Sequence, residues 1–360
     1  ALVAVLAGEG PKVTSTETKG CLIDLAEMPT KTAYARHIAP ILEKKCASCH
    51  VEGHIGPFAM DSYENVAGRK RMLREVLLTK RMPPWHADPY HGKFANDASL
   101  TRDELRSLIA WLDADAPRGK GGDPLLKLAV EDAAPAWSMG EPDIVIPMPK
   151  AVNVPAEGVI DYVYVRVRYT GDEDLWVRGA DVLPGDRSVV HHALVFLKYP
   201  NELKSIEPDM EGGLNGFFAG YVPGMLNGPY PDDTGKWVPK GSEFVFQMHY
   251  TTTGRPASDI SKLGLYLSKK KPAREFFTRA ATNIDFEIKP NDPRSPTSAT
   301  YAFDRDVVLY EMAPHMHFRG KEVSYEVKYP DGKLETLLNV PNYDFNWQTM
   351  YKLDKPLRLP

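Results

Sequence analysis

Cysteine is scarce: the 360-residue chain has three, Cys21, Cys46 and Cys49, and none follows Cys49. So few thiols exclude a disulfide framework. They also leave no second Cys or His pair at finger spacing to close a zinc site. Long apolar runs are missing as well, since none approaches the ~18 residues a helix needs to span a membrane. Charge is nearly balanced, with 44 Lys+Arg against 48 Asp+Glu and a net charge of −4. That balance offers no basic surplus for nucleic acid. Helical patterning is lacking beyond residue 140. What is present is an ordinary composition, 43% hydrophobic, in a chain long enough for two or three domains.

Two of the three cysteines stand together, in Cys46-Ala47-Ser48-Cys49-His50. Two thiols three residues apart, followed at once by histidine, form the attachment signature of a c-type haem. Both can form thioethers to one porphyrin, and His50 is then held beneath the iron as proximal ligand. A redox Cys-x-x-Cys pair gives no reason for the adjacent histidine. The thioethers of haem c are made outside the cytoplasmic membrane, so the motif implies a periplasmic or otherwise exported protein.

Around the motif the pattern is helical. One helix is expected over His37–Lys45, and a second over Tyr63–Lys80. A third opens at Thr101, which stands at capping-box spacing from Glu104. Together they make a small all-α cytochrome c domain over residues 31–120. Met82, in Arg81-Met82-Pro83-Pro84-Trp85, is the candidate second axial ligand, on a loop that two prolines stiffen. Met60, Met72, His54, His86 and His91 are its rivals. The second helix carries Arg69, Lys70, Arg71 and Arg74, either a solvated face or a docking face. Residues 121–139 read as a linker, with Arg118–Pro124 flexible by composition.

Beyond it, alternating β-branched and aromatic residues between Pro, Gly and Asp turns predict antiparallel sandwiches. Strands are expected at Val152–Pro155, Tyr162–Tyr169, Val189–Leu197, Glu243–Tyr250, Leu263–Leu267 and Val323–Tyr329. Five of the ten histidines fall in this half, grouped as His191-His192, His249 and His315-Met316-His317. On a strand, His315 and His317 point to one face. His191 and His192 point to opposite faces unless a bulge or different ring nitrogens bring them together. Imidazole-rich sites suit zinc, copper, iron or nickel alike.

The groups His191-His192, Gln247-Met-His249-Tyr250 and His315-x-His317-x-x-Gly320-Lys321 resemble those of the copper type II, ascorbate-dependent monooxygenases. That is the family of peptidylglycine α-hydroxylating monooxygenase and dopamine β-monooxygenase. The resemblance covers about residues 140–360, and the motifs occur in the family's order. It implies two jelly-roll-like sandwiches, 140–282 and 283–360, with one copper each. His191, His192 and His249 would hold the electron-transfer copper, and His315 and His317 the oxygen-binding, catalytic one. The family's third ligand there is a methionine farther along than Pro360, and Met350 is not taken for it. Ala313 stands where peptide-amidating members have an arginine, which argues against a peptidylglycine substrate. The first half resembles bacterial cytochrome c domains fused to such modules. Residues 1–30, apolar up to Gly8, resemble the end of an upstream redoxin domain, and the chain reads as an internal fragment.

The implied activity passes electrons from an external donor through haem to the first copper and then to the second. There molecular oxygen hydroxylates a C–H bond of a small molecule. The alternative is a periplasmic electron-transfer or redox protein whose copper-binding β module is not catalytic.

Overall fold

The computed structural model describes residues 32–128, 137–200, 216–223, 227–283 and 285–360. The expected tail over 1–30, with Cys21, lies outside the described residues, as does the middle of the expected linker. Helices come first and strands dominate the rest, so the fold is β-rich.

A π-turn, Tyr34–Ile38, leads into α1 (Ala39–Lys45). The single helix expected over Tyr63–Lys80 is two, α2 (Tyr63–Ala67) and α3 (Lys70–Leu78). Arg69, at φ −112° and ψ 13°, leaves the helical region, and the glycine before it is a poor helix former. In α4 (Arg102–Asp113) the expected capping box is complete: Thr101 Oγ1 accepts from Glu104 N at 3.2 Å, and Glu104 Oε2 from Thr101 N at 2.8 Å. The apolar faces meet in one core of Tyr34, Ile38, Leu42, Val66, Leu73, Leu77, Leu108 and Trp111. The start of the expected linker belongs to this core. Tyr34 Oη donates to Asp123 Oδ1 at 2.6 Å, Tyr63 N to Asp123 Oδ2 at 2.5 Å, and Leu125 is fully buried.

The second region is built on two facing sheets. One has the order β3 (Val163–Arg168), β8 (Glu243–Tyr250), β5 (Val190–Lys198), β6 (Phe217–Tyr221), all antiparallel. The other runs β1 (Ile144–Pro147), β10 (Lys262–Leu267), β4 (Leu175–Leu183), β7 (Thr234–Val238), β11 (Arg274–Glu275), with the last pair parallel. Their inner faces share one core. Val177, Ala180, Val182, Leu263 and Leu265 meet Val195, Leu197, Phe218, Phe244, Phe246 and Met248. A short pair, β2 (Val152–Val154) with β9 (Ala257–Asp259), closes one end.

The last strands form two ladders, β12 (Val307–Met312) with β15 (Tyr351–Leu359), and β13 (Val323–Lys328) with β14 (Leu334–Val340). Their small core of Met312, Leu337, Leu338, Val340 and Tyr351 is completed from the helical half by Trp85, Ala87 and Phe94. That segment is strapped down by backbone. Phe94 bridges Leu353, Asp88 N donates to Asn339 O at 2.8 Å, and Ala95 N to Lys352 O at 2.9 Å. Asn96 Nδ2 adds a bond to Met350 O at 2.7 Å. Among the described residues, residues 85–96 thus join the helical half to the last strands. The basic face of α3 is used at home: Lys70 pairs with Asp115, Arg74 with Asp113 at 2.5 Å, and Arg69 lies 4.4 Å over Phe58. Among the described residues no helix is long and apolar enough to cross a membrane.

Candidate metal centre

Alternation along β8 sends Phe244, Phe246, Met248 and Tyr250 into the core and leaves Gln247 and His249 on the outer face. On β5 the core side belongs to Ala193, Val195 and Leu197, so His192 faces outward too, directly opposite His249 in the ladder. Regular alternation would turn His191 inward. The register shifts between Val190 and His192, and this bulge brings His191 round to its neighbours. Of the two ways of uniting adjacent histidines, the chain takes the bulge.

The three imidazoles converge. One ligand nitrogen from each lies within 4.8 Å of the others, and ring centroids are 4.8–5.4 Å apart. His191 Nδ1 and His192 Nδ1 are 3.1 Å apart, while His249 Nδ1 is buried without a partner. Burial lowers all three pKa values, to about 4 for His191 and about 3 for His192. Their mutual repulsion adds to burial at His191 and His192. At neutral pH the group is uncharged, with lone pairs free for a cation. A buried, unpaired ring nitrogen costs about 1–3 kcal/mol. A metal ion at that point would remove the penalty, so the donor set fits one.

Tyr162 covers the group, its ring 5.0 Å from His249 and 5.9 Å from His192. Phe345 lies 6.2 Å from His249 and 5.9 Å from His317. The ring of Phe345 thus lies close to both histidine groups.

His315 and His317 were expected on a strand, and the structure does not put them on one. They follow the end of β12 in an extended loop, exposed, with rings 5.4 Å apart. Tyr343 holds the loop at Met316, accepting from its N–H at 3.0 Å and donating to its carbonyl at 2.7 Å. Gln348 Nε2 donates to Phe345 O at 2.7 Å, which aims its Oε1 at His315 Nδ1, 2.8 Å away. Held this way His315 presents Nε2, the arrangement by which second-shell partners orient metal-binding histidines. Tyr162, Tyr343, Phe345 and Gln348 had no assigned role in the sequence, because only folding brings them to the histidines.

The cysteine turn closes α1. Cys46 N bonds to Leu42 O at 2.9 Å, and Cys49 N and His50 N return to Cys46 O at 3.2 and 3.0 Å. His50 is buried, and its Nδ1 lies 3.0 Å from Phe58 O, which leaves Nε2 for a ligand. The following loop packs so close that a Cβ on Gly56 would meet Cys49 O at 2.5 Å. Burial pushes Cys46 up to about 12 and raises Cys49 also. A redox dithiol needs a lowered thiol pKa, so this pair is poorly suited to that chemistry. Its residues fit a group attached through sulfur and ligated by histidine. Of the axial candidates, Met60 is a buried core residue, Met72 is exposed, and His54 Nδ1 lies 3.0 Å from Ser48 O. His86 and His91 belong to the strap region, and Met82 is half-buried just before it.

No model of a known protein family matches the chain, and no curated protein matches it.

Proposed function

We propose that the chain is an exported, periplasmic redox protein: a copper-dependent monooxygenase-like module of tandem jelly-roll-like sandwiches with its own all-α cytochrome c domain. One observation carries the reading. Three neutral imidazoles converge within 4.8 Å, one nitrogen buried and unpaired, a single ring away from a second histidine pair.

In this reading His191, His192 and His249 hold one copper, and His315 and His317 the catalytic one. Cys46 and Cys49 would carry haem c, and His50 and Met82 would ligate its iron. Copper and haem supply one-electron chemistry and the activation of dioxygen needed to hydroxylate a C–H bond of a small molecule, using an external electron donor. The chain's own residues supply the frame. The β5–β8 ladder sets the spacing of the first three ligands. Gln348 keeps Nε2 of His315 turned outward, and Phe345 fills the space between the groups.

The second reading is an electron-transfer protein with a non-catalytic copper module. The exposure of His315 and His317, two imidazoles on a loop, favours it. Copper content, the pyridine haemochrome spectrum and oxygen uptake with reductant test both. Haem and copper with oxygen uptake support the monooxygenase. Haem and copper without uptake support the carrier, and a chain that takes up neither removes both.

A further inference from the structure

On β7, Lys236 alternates with the core residue Val238, so it turns inward, where the two sheets of the sandwich part. β6 is the outer strand of one sheet, and beyond β7 in the other lies only the two-residue β11. Lys236 bridges this gap, 6% exposed, and its Nζ donates to the carbonyls of Phe217 and Phe218 on β6 at 3.1 and 2.8 Å. An ammonium has three N–H donors, so one finds no acceptor among the described residues. No Asp or Glu among them forms an ion pair with it either. Burial lowers its pKa to about 8, so at neutral pH the charge is still present. A buried cation without a counter-ion is costly, and this one calls for an explanation.

Four aromatic rings surround the charge. The centroids of Phe217, Phe218 and Tyr230 lie 5.4 Å from Nζ, and that of Phe276 lies 5.7 Å away. Rings attract a cation, but they do not take an N–H as a carboxylate does. Three of them, Phe217, Phe218 and Phe276, also wall a cavity of about 180 Å³, together with Trp237 and Phe277. An apolar cavity of about 150 Å³ holds one benzene ring, so this one has room for a single ring and a small polar group. Its charged lining is Lys236, Arg279 and Glu275, two cations against one carboxylate. Arg279 and Glu275 are both exposed, and Arg279 rests 4.5 Å over Phe277.

We propose that this cavity binds a small aromatic carboxylate, its ring between Phe217, Trp237 and Phe276 and its carboxylate on the open donor of Lys236. The anion is the counter-ion that Lys236 lacks. A small inorganic anion would leave the aromatic walls bare, and an uncharged ring would leave the cation unpaired. Phe276 also meets Tyr310 of β12, 5.9 Å away, so the ligand sits at the seam between the first sandwich and the last strands. No histidine lines the cavity, and the proposal rests on neither haem nor copper.

The test is calorimetric titration of the full chain with benzoate, with benzamide and acetate as controls. One benzoate is expected to bind per chain. Each control should bind at least about tenfold more weakly, benzamide for want of the charge and acetate for want of the ring. Lys236→Met should weaken benzoate at least about tenfold and leave benzamide unchanged. Phe277→Ala, at an exposed position, thins the apolar wall and should weaken benzoate several-fold. No benzoate binding, or benzamide binding as tightly as benzoate, overturns the proposal. Unchanged benzoate affinity in Lys236→Met puts the anion elsewhere and overturns it too. If Lys236→Met does not fold, unchanged affinity in Phe277→Ala overturns it equally.

Discussion

The two histidine groups face each other across Phe345, yet they are held by opposite means. His192 and His249 are opposite each other in a ladder, so the backbone of β5 and β8 sets their spacing, and a bulge adds His191. His315 and His317 stand on a loop held by one backbone bond, Gly320 N to His317 O at 2.7 Å, and by side chains, Tyr343 at Met316 and Gln348 at the ring. A site on strands inherits the stiffness of the sheet. A site on a loop is only as firm as the hydrogen bonds that hold the loop. The first group should therefore bind metal tightly and tolerate change around it. The second should depend on residues that need never touch the metal.

The strongest way to break the contrast is to remove a ladder ligand. His249→Ala is expected to abolish tight copper binding while any weaker binding at His315 and His317 persists. Calorimetric titration should then show one loose site where the parent shows a tight and a loose one. Two equally tight sites in the parent would show that another group completes the second site and that the contrast is false.

Gln348→Ala should weaken the second site about 10–100-fold, the usual effect of losing a second-shell partner, and leave the first unchanged. Gln348→Glu, whose carboxylate can still accept from Nδ1–H, should restore most of the loss. An equal loss in both variants would mean that Gln348 only fills space.

Tyr343→Phe removes two hydrogen bonds at Met316, each worth about 0.5–1.5 kcal/mol net. The expected result is a several-fold weaker second site and a small drop in the thermal midpoint. A variant with unchanged second-site affinity would show that the loop is held elsewhere.

The last test probes the strand half alone and leaves both histidine groups untouched. Lys236 on β7 is buried, its Nζ donating to Phe217 O at 3.1 Å and Phe218 O at 2.8 Å. Burial lowers its pKa to about 8, from 10.5 in a free side chain. Between those values the unfolded chain keeps a proton that the folded one has released, so folding stability gains as pH rises from about 8 to about 10.5. Lys236→Met should lose that gain while keeping the acid side of the profile. Denaturant midpoints of both proteins across this range measure it, and parallel curves would refute the assignment.

Much of the architecture was legible because it rests on local periodicity. The capping box of α4, the alternation on β8 and the division into helical and β halves follow from residues near one another in sequence. The break at Gly68 and Arg69 was missed because the apolar spacing continues across it. Strands such as β4 and β14 were missed because runs buried on both sides, or bent by a bulge, lack clean alternation. The expected flexible linker partly failed, since Asp123 and Leu125 find partners in the helical core.

By itself the sequence determined the chemistry on offer: which thiols, imidazoles and thioethers exist, and that they come in groups. Side-chain type and short spacing suffice for that, because a Cys-x-x-Cys-His turn closes within a few residues. Only the tertiary structure decided which groups meet. The bulge at His191, the ring of Phe345 between two sites, Gln348 on His315 and the strap of residues 85–96 join parts of the chain far apart in sequence. Contacts of that range depend on how whole sheets pack, and no local pattern encodes them.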